Sequence, residues 1–150
     1  MQLSKHFTLE ELTKSSLALR LGIDNTPGPA EISCLKDVAE NILEPVRERY
    51  AVSFTPNSGY RCLALNQALK SGDNSQHIKG QAVDIEILGV TNLDLALWIF
   101  VNLEFDQLIL ECYTPGEANS GWVHCSYIPT GGRKQVLTFS GGQYQEGLIT

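Results

Sequence analysis

The run QAVDIEI (residues 81 to 87) limits the possible folds more than any other stretch, because it alternates strictly. Val83, Ile85 and Ile87 share one side of a two-residue period, and Ala82, Asp84 and Glu86 share the other. That is the pattern of a β-strand with one packed face and one face bearing carboxylates. A second alternating run, GWVHCSYI, puts Trp122, His124 and Ser126 on one face and Val123, Cys125 and Tyr127 on the other. With DQLILECY it makes two strands joined by the loop TPGEANS, and QVLTFS is a last strand candidate. VSFT (52 to 55) also reads as a strand.

Helical signals come mostly earlier in the chain. Thr8-Leu9-Glu10-Glu11 has the form of a capping box, which predicts a short helix. After the turn-rich GIDNTPGP (22 to 29), Ile32, Leu35, Ala39, Ile42, Leu43 and Val46 recur at three and four, the period of one helix face. Pro45 removes a backbone donor late in that segment and predicts a kink or an end near Glu44. The loop PNSGY leads into Arg61 and a short helix, CLALNQALK, that stops at Ser71-Gly72, and SGDNSQH then holds turn formers only. Thr91 with Asp94 caps a helix through about Leu103. Helices first and strands later, with hairpin-length joins, predict an α+β fold: an antiparallel sheet with helices packed on one side. The chain has 150 residues, no repeats, and glycine pairs (Gly131-Gly132, Gly141-Gly142) too short for linkers, so a single domain over residues 1–150 is expected.

Composition excludes several classes of partner. Hydrophobic residues make up 43% and charged residues 19%, which is globular, and no apolar run approaches the ~20 residues of a membrane span. Seventeen acidic against eleven basic residues give a net charge of -6, and the basic ones are scattered, so neither a nucleic acid nor an anionic membrane is an expected partner. The expected state is a monomer. MQLSKHFTLEEL lacks the apolar stretch of a secretory signal, which predicts synthesis ending in the cytoplasm. Cys34, Cys62, Cys112 and Cys125 form no CxxC pattern and are expected as free thiols.

SQHIKGQAVD puts His77 seven positions before Asp84, with Gly80 permitting a turn that folds one toward the other. With His124 on the polar side of its strand, this assembles two imidazoles and one carboxylate. Three protein ligands and one open position are the usual form of a catalytic zinc site. Spacing alone does not settle this, because a lone histidine in a polar loop is usually just solvated and an aspartate on a strand is often a structural acceptor. His6 reads as structural, and Cys125, though next to His124, points to the opposite face.

Taken together, SGYR (58 to 61), SQHIKGQAVD (75 to 84) and WVH (122 to 124) resemble the motifs of the zinc-dependent D-Ala-D-Ala carboxypeptidase family of peptidoglycan peptidases, S-x-H-x6-D followed by a distant W-x-H. HFTLEEL at the start and FDQLILE (105 to 111) are similar to its phage and prophage branch. The resemblance implies an α+β fold shared with hedgehog signalling domains, one Zn2+ per chain held by His77, Asp84 and His124, and hydrolysis of peptidoglycan stem peptides or cross-links. It further implies an endolysin or virion-borne wall peptidase that acts on the cell wall after release. Arg61 matches the family's substrate-holding arginine, a role suited to a permanently charged planar fork. Ser75 matches the serine that opens the motif and is expected to touch substrate or support a ligand.

One position departs from the pattern. Many relatives carry an acidic general base three residues before the last histidine, where this chain has Gly121. Glu111 is the first candidate to replace it, because the matching branch pattern carries a glutamate there; Glu117 in TPGEANS is the second. Glu86 shares the face of Asp84 but is displaced by nearly 7 Å at about 3.3 Å per residue. The missing acid keeps a second reading open, a catalytically inactive zinc-stabilised module that binds wall peptide or a virion partner.

Overall fold

A computed structural model describes residues 1–150. The alternation of residues 81 to 87 becomes a strand, β1 (Ala82–Ile85), and the two later runs become β2 (Gln107–Glu111) and β3 (Trp122–Ser126). With β4 (Gln135–Ser140) and β5 (Gln143–Glu146) they make one five-stranded sheet in the order β1-β3-β2-β4-β5. The helices are α1 (Leu9–Thr13), α2 (Ser16–Leu21), α3 (Pro29–Val38), α4 (Glu44–Tyr50), α5 (Leu63–Ala68) and α6 (Asn92–Asn102). The α+β class therefore holds.

One face of the sheet is the core face. Val83 and Ile85 of β1, Leu108 and Leu110 of β2, and Val123 and Cys125 of β3 are all fully buried. They form one cluster with Leu35, Ile42, Leu43 and Val46 of the long helical segment and Leu95 and Ile99 of α6. Burying each of the larger aliphatic side chains stabilises the fold by roughly 1.5–3 kcal/mol. The sheet is thus held rigid from behind, and its opposite face is left for polar residues.

The local signals act where the sequence places them. Thr8 Oγ1 accepts the Glu11 N–H while a Glu11 carboxylate oxygen accepts the Thr8 N–H, so the capping box forms and starts α1. Thr91 caps α6 by accepting the Asp94 N–H at 3.2 Å. Pro45 does not end its helix. A π-helical turn, Ala39–Leu43, intervenes before it, and the Glu44 N–H reaches back to the Ala39 carbonyl. This change of register takes up the donor that proline lacks, and α4 runs on to Tyr50.

Four expectations need correction. VSFT (52 to 55) is not a strand; Phe54 packs on Phe7 with ring centroids 5.2 Å apart, so its apolar side chains join the core without backbone pairing. The stretch read as turn formers only, SGDNSQH, runs at its end into a 3-10 turn, Gln76–Lys79. Helix α2, capped by Ser15 and closed by Gly22 in the left-handed region, falls where no element was expected. The sheet, finally, is not wholly antiparallel, since β2 and β4 are parallel.

That parallel pair follows from the path after β3. The chain crosses the start of β2, where the Arg133 backbone N–H and Nε both donate to Asp106 Oδ1 at 3.0 Å and Nη2 donates to Oδ2 at 2.8 Å. Gln135 N–H then donates to the Asp106 carbonyl, which sets β4 beside β2 and running the same way. Asp106 is buried, and the Arg133 hydrogen bonds hold its carboxyl down to about 2 against the opposing effect of burial. Gly141 and Gly142, both at positive φ, then form a two-residue turn between the paired residues Ser140 and Gln143 and return the chain as β5.

Candidate functional site

The loop before α5 is stitched to the edge of β1, and this brings the three matched segments together. Asp84 N–H donates to the Ser58 carbonyl at 2.8 Å, Asn57 N–H donates to the Asp84 carbonyl at 2.7 Å, and Arg61 N–H donates to the His77 carbonyl at 3.1 Å. Gly80, at φ +73, ends the 3-10 turn that carries His77, and a Cβ there would stand 2.6 Å from the Glu31 carbonyl oxygen. Only glycine fits so close to α3. Across the sheet, Asp84 pairs directly with His124, so their side chains share a face.

His77, Asp84 and His124 are 3%, 7% and 9% exposed, and their ligating atoms lie within 4.8 Å of one another. Asp84 Oδ1 is 3.0 Å from His124 Nδ1 and 3.4 Å from His77 Nε2. Ligands about 2.0–2.1 Å from a tetrahedral ion stand roughly 3.3 Å apart, so this donor set fits zinc. His77 Nδ1 lies 2.7 Å from the Gly59 carbonyl oxygen. A carbonyl only accepts, so Nδ1 carries the proton and Nε2 keeps its lone pair free for a metal.

The charges agree with this arrangement. Burial holds the His77 imidazole below its ordinary pKa, against the pull of Asp84, and so favours the neutral, ligating form. Burial opposes ionisation of Asp84, but the two histidines together outweigh it and keep the carboxyl well below the usual range. Arg61 Nη2 donates to Asp84 Oδ2 at 3.3 Å, its Nε donates to Ser58 Oγ at 3.1 Å, and its Nη1 donates to Asn66 Oδ1 at 3.4 Å. Its guanidinium is thus fixed at the rim of the cluster.

Glu111 lies on the same face. His124 pairs with Ile109, and Glu111 two residues further along β2 is the diagonal neighbour of His124, a separation of about 7–8 Å that long side chains span. Trp122 pairs with Glu111 directly, and the register that joins Leu110 to Thr138 continues to set Phe139 on its other side. Partial burial raises the Glu111 pKa, and the Asp84 charge adds to the shift against His124 and Arg61. Glu111, Arg61, Ser75, Trp122 and the His-Asp-His trio all line one cleft of about 560 Å³.

The other candidates lie elsewhere. Glu117 is exposed in its loop and does not line the cleft. Glu86 is exposed past the end of β1 and accepts from Asn57 and Asn92. Ser75 caps the 3-10 turn by accepting the His77 N–H at 3.3 Å, so it supports a ligand as well as facing the cleft. His6 Nδ1 pairs with Glu44 at 2.8 Å, and Cys125 is buried on the core face. All four cysteines are free.

Gly121 is glycine for a backbone reason. Its φ is +68, and a Cβ there would overlap the Glu111 carbonyl oxygen. No acid can stand at this position in this backbone. Sequence reading missed Asn66, which is fully buried, accepts from Arg61 and donates to the carbonyls of Ser71 and Gly72. The local pattern gives no clue to it, because Leu63 and Leu69, three residues to either side, are exposed. Asn92 was missed too; its Nδ2 donates to the Gly121 carbonyl at 2.8 Å and steadies the approach to β3.

A family model described as Peptidase M15 matches residues 5–126. The chain belongs to the peptidase M15 family. The match covers the three motifs and the whole His-Asp-His cluster, and M15 proteins are zinc metallopeptidases, the zinc D-Ala-D-Ala carboxypeptidase family. Comparison with curated proteins gave no match. No helix of this M15 chain is long and apolar enough to cross a membrane.

Proposed function

We propose that this M15 chain is a zinc peptidase of the bacterial cell wall, hydrolysing peptide bonds of peptidoglycan stem peptides or cross-links. The observation that carries the reading is the convergence of His77, Asp84 and His124 on one point, with Glu111 as diagonal neighbour in the same cleft. His77, Asp84 and His124 are the residues that would hold one zinc per chain. When bound, zinc supplies Lewis acidity that polarises a peptide carbonyl and makes water more acidic.

Glu111 takes the proton of the attacking water at its carboxylate and delivers it to the leaving amine, a role worth roughly 10²–10⁴ in rate. Its position as the diagonal neighbour of His124 in the same cleft suits both steps. Arg61, charged and braced by Ser58, Asn66 and Asp84, pairs with a substrate carboxylate or the developing oxyanion. Ser75 holds the turn that carries His77. The polar lining from Ser71, Asp73, Asn74, Gln76 and Gln107 suits a peptide rich in polar groups. The alternative is an inactive zinc-stabilised module, suggested by the missing acid at Gly121; the presence of Glu111 in the cleft on the adjacent strand favours the enzyme.

Support for the wall substrate comes from the SGYR, SQHIKGQAVD and WVH motifs together, and support for a role as an endolysin or virion-borne peptidase from the similarity of HFTLEEL and FDQLILE to the phage and prophage branch. In this reading residues 1–150 act as one domain and one monomer. The test is zinc-dependent release of new amino termini from purified peptidoglycan, compared between wild type and His124→Ala. Cleavage by the wild type alone is the expected result; no cleavage by the wild type overturns the wall-peptidase reading.

A further inference from the structure

The family match ends at residue 126, yet the cleft does not. Arg133 and Tyr144 line it as well, and both come from the segment after β3. We propose that Tyr144 is a substrate-binding residue, contacting the peptide three to four residues to the amino-terminal side of the scissile bond. The inference rests on the peptidase reading above and adds the extent of the peptide that the cleft holds.

The register of the sheet supplies the argument. Trp122 pairs with Glu111, Glu111 neighbours Phe139, and Phe139 pairs with Tyr144, so one row across the site face carries two aromatic residues on one side of the general base and one on the other. Tyr144 is 57% exposed although its ring packs on Phe139, with centroids 4.6 Å apart. The ring is thus fixed on one side and open to a ligand on the other. The crossover that delivers this hairpin is locked by Arg133 on Asp106, which leaves Arg61 as the cleft guanidinium nearest the metal ligands.

Direction and length follow. Arg61 stands at the β1 side, beside Asp84, and in its role of pairing with a substrate carboxylate it sets the carboxyl-terminal side of the substrate there. The remainder then runs over β2 and β4 toward β5. From β2 to β5 is two strand spacings and from β3 to β5 is three, or about 10–14 Å. An extended peptide advances about 3.3–3.6 Å per residue, so three to four residues reach Tyr144. A row of aromatic rings on that path offers stacking area to side chains and peptide planes.

The experiment uses zinc-loaded protein and N-acetylated peptides with one to five residues before a common D-alanyl-D-alanine terminus. In the wild type, KM should fall as the peptide lengthens and level off after the second or third added residue, because the first D-alanine is itself one of the three to four residues on the amino-terminal side of the scissile bond. In Tyr144→Ala that last gain should vanish, leaving KM roughly tenfold higher for long peptides. Zinc content, kcat and the kinetics of the shortest peptide should stay unchanged, and Tyr144→Phe should keep most of the gain. A Tyr144→Ala protein that matches wild type at every length, or that loses short and long peptides alike, overturns the proposal. Calorimetric Kd values on the same series are measured in parallel. If the wild type cleaves neither these peptides nor purified peptidoglycan, the peptidase reading fails while length-dependent binding that Tyr144→Ala abolishes still supports the subsite; length-independent binding or none overturns it.

Discussion

Replacing Gly121 by alanine tests whether backbone geometry, rather than chemistry, removed the acid from that position. At φ +68 a non-glycine residue costs about 1–2 kcal/mol. The added Cβ would also overlap the Glu111 carbonyl oxygen and stand 2.9 Å from that of Cys112. Shifting backbone to relieve such crowding costs about 1–3 kcal/mol, and weakening the hydrogen bond from Asn92 to Gly121 adds about 0.5–1.5 kcal/mol. We expect Gly121→Ala to lose about 3–5 kcal/mol in urea-induced unfolding. Gly116→Ala is the control: φ is +87 there, but nothing lies within 4 Å of its Cβ, so only the conformational cost of about 1–2 kcal/mol applies. Equal losses in the two variants would refute the steric argument. Because the crowded atom belongs to Glu111, Gly121→Ala should also lower kcat in whatever protein remains folded.

Glu111→Gln should retain zinc and lose about 10²–10⁴ in kcat, whereas Glu117→Gln should match wild type; the reverse outcome would move the base to the loop. Adding Gly121→Glu to Glu111→Gln should not restore turnover and should destabilise the fold, as measured by activity and thermal melting. Arg61→Ala should keep zinc and lower kcat/KM by about tenfold for each 1.4 kcal/mol of contact removed, with Arg61→Lys impaired as well; unchanged kinetics would make Arg61 an ordinary rim residue. Asp106 has its pKa depressed to about 2 from 3.8, so its contribution is present above pH 3.8 and is lost as pH falls toward 2. Arg133 is 54% exposed, and solvent screening limits that contribution to on the order of 1–2 kcal/mol. Asp106→Asn should remove this part of the acid destabilisation, checked by unfolding at pH 6 and pH 3.

Much of the site was legible because it depends on short-range patterns. The alternation around Asp84 and around His124 sets each side chain on the polar face of its own strand without any knowledge of pairing, and the capping box at Thr8 and the cap at Thr91 need only four residues each. Pairing direction is a different kind of information. Nothing local in QVLTFS tells whether it runs with or against β2; that depends on the Asp106 to Arg133 lock at the crossover. Gly141-Gly142 was dismissed as too short for a linker, although two glycines at positive φ are what a two-residue hairpin needs. That reading hid β5 and with it Tyr144. VSFT failed for the opposite reason, since its apolar pattern is satisfied by packing on Phe7 with no strand beside it.

The account depends most on His77, Asp84 and His124 forming one zinc centre that drives peptide hydrolysis. The measurement that tests this directly is titration of zinc into metal-stripped protein while following cleavage of purified peptidoglycan. Activity should rise in proportion to added zinc and break at one equivalent per chain, and a His77→Ala, His124→Ala double variant should show neither tight zinc binding nor activity. A break at another stoichiometry, cleavage without metal, or full zinc retention in the double variant would contradict it.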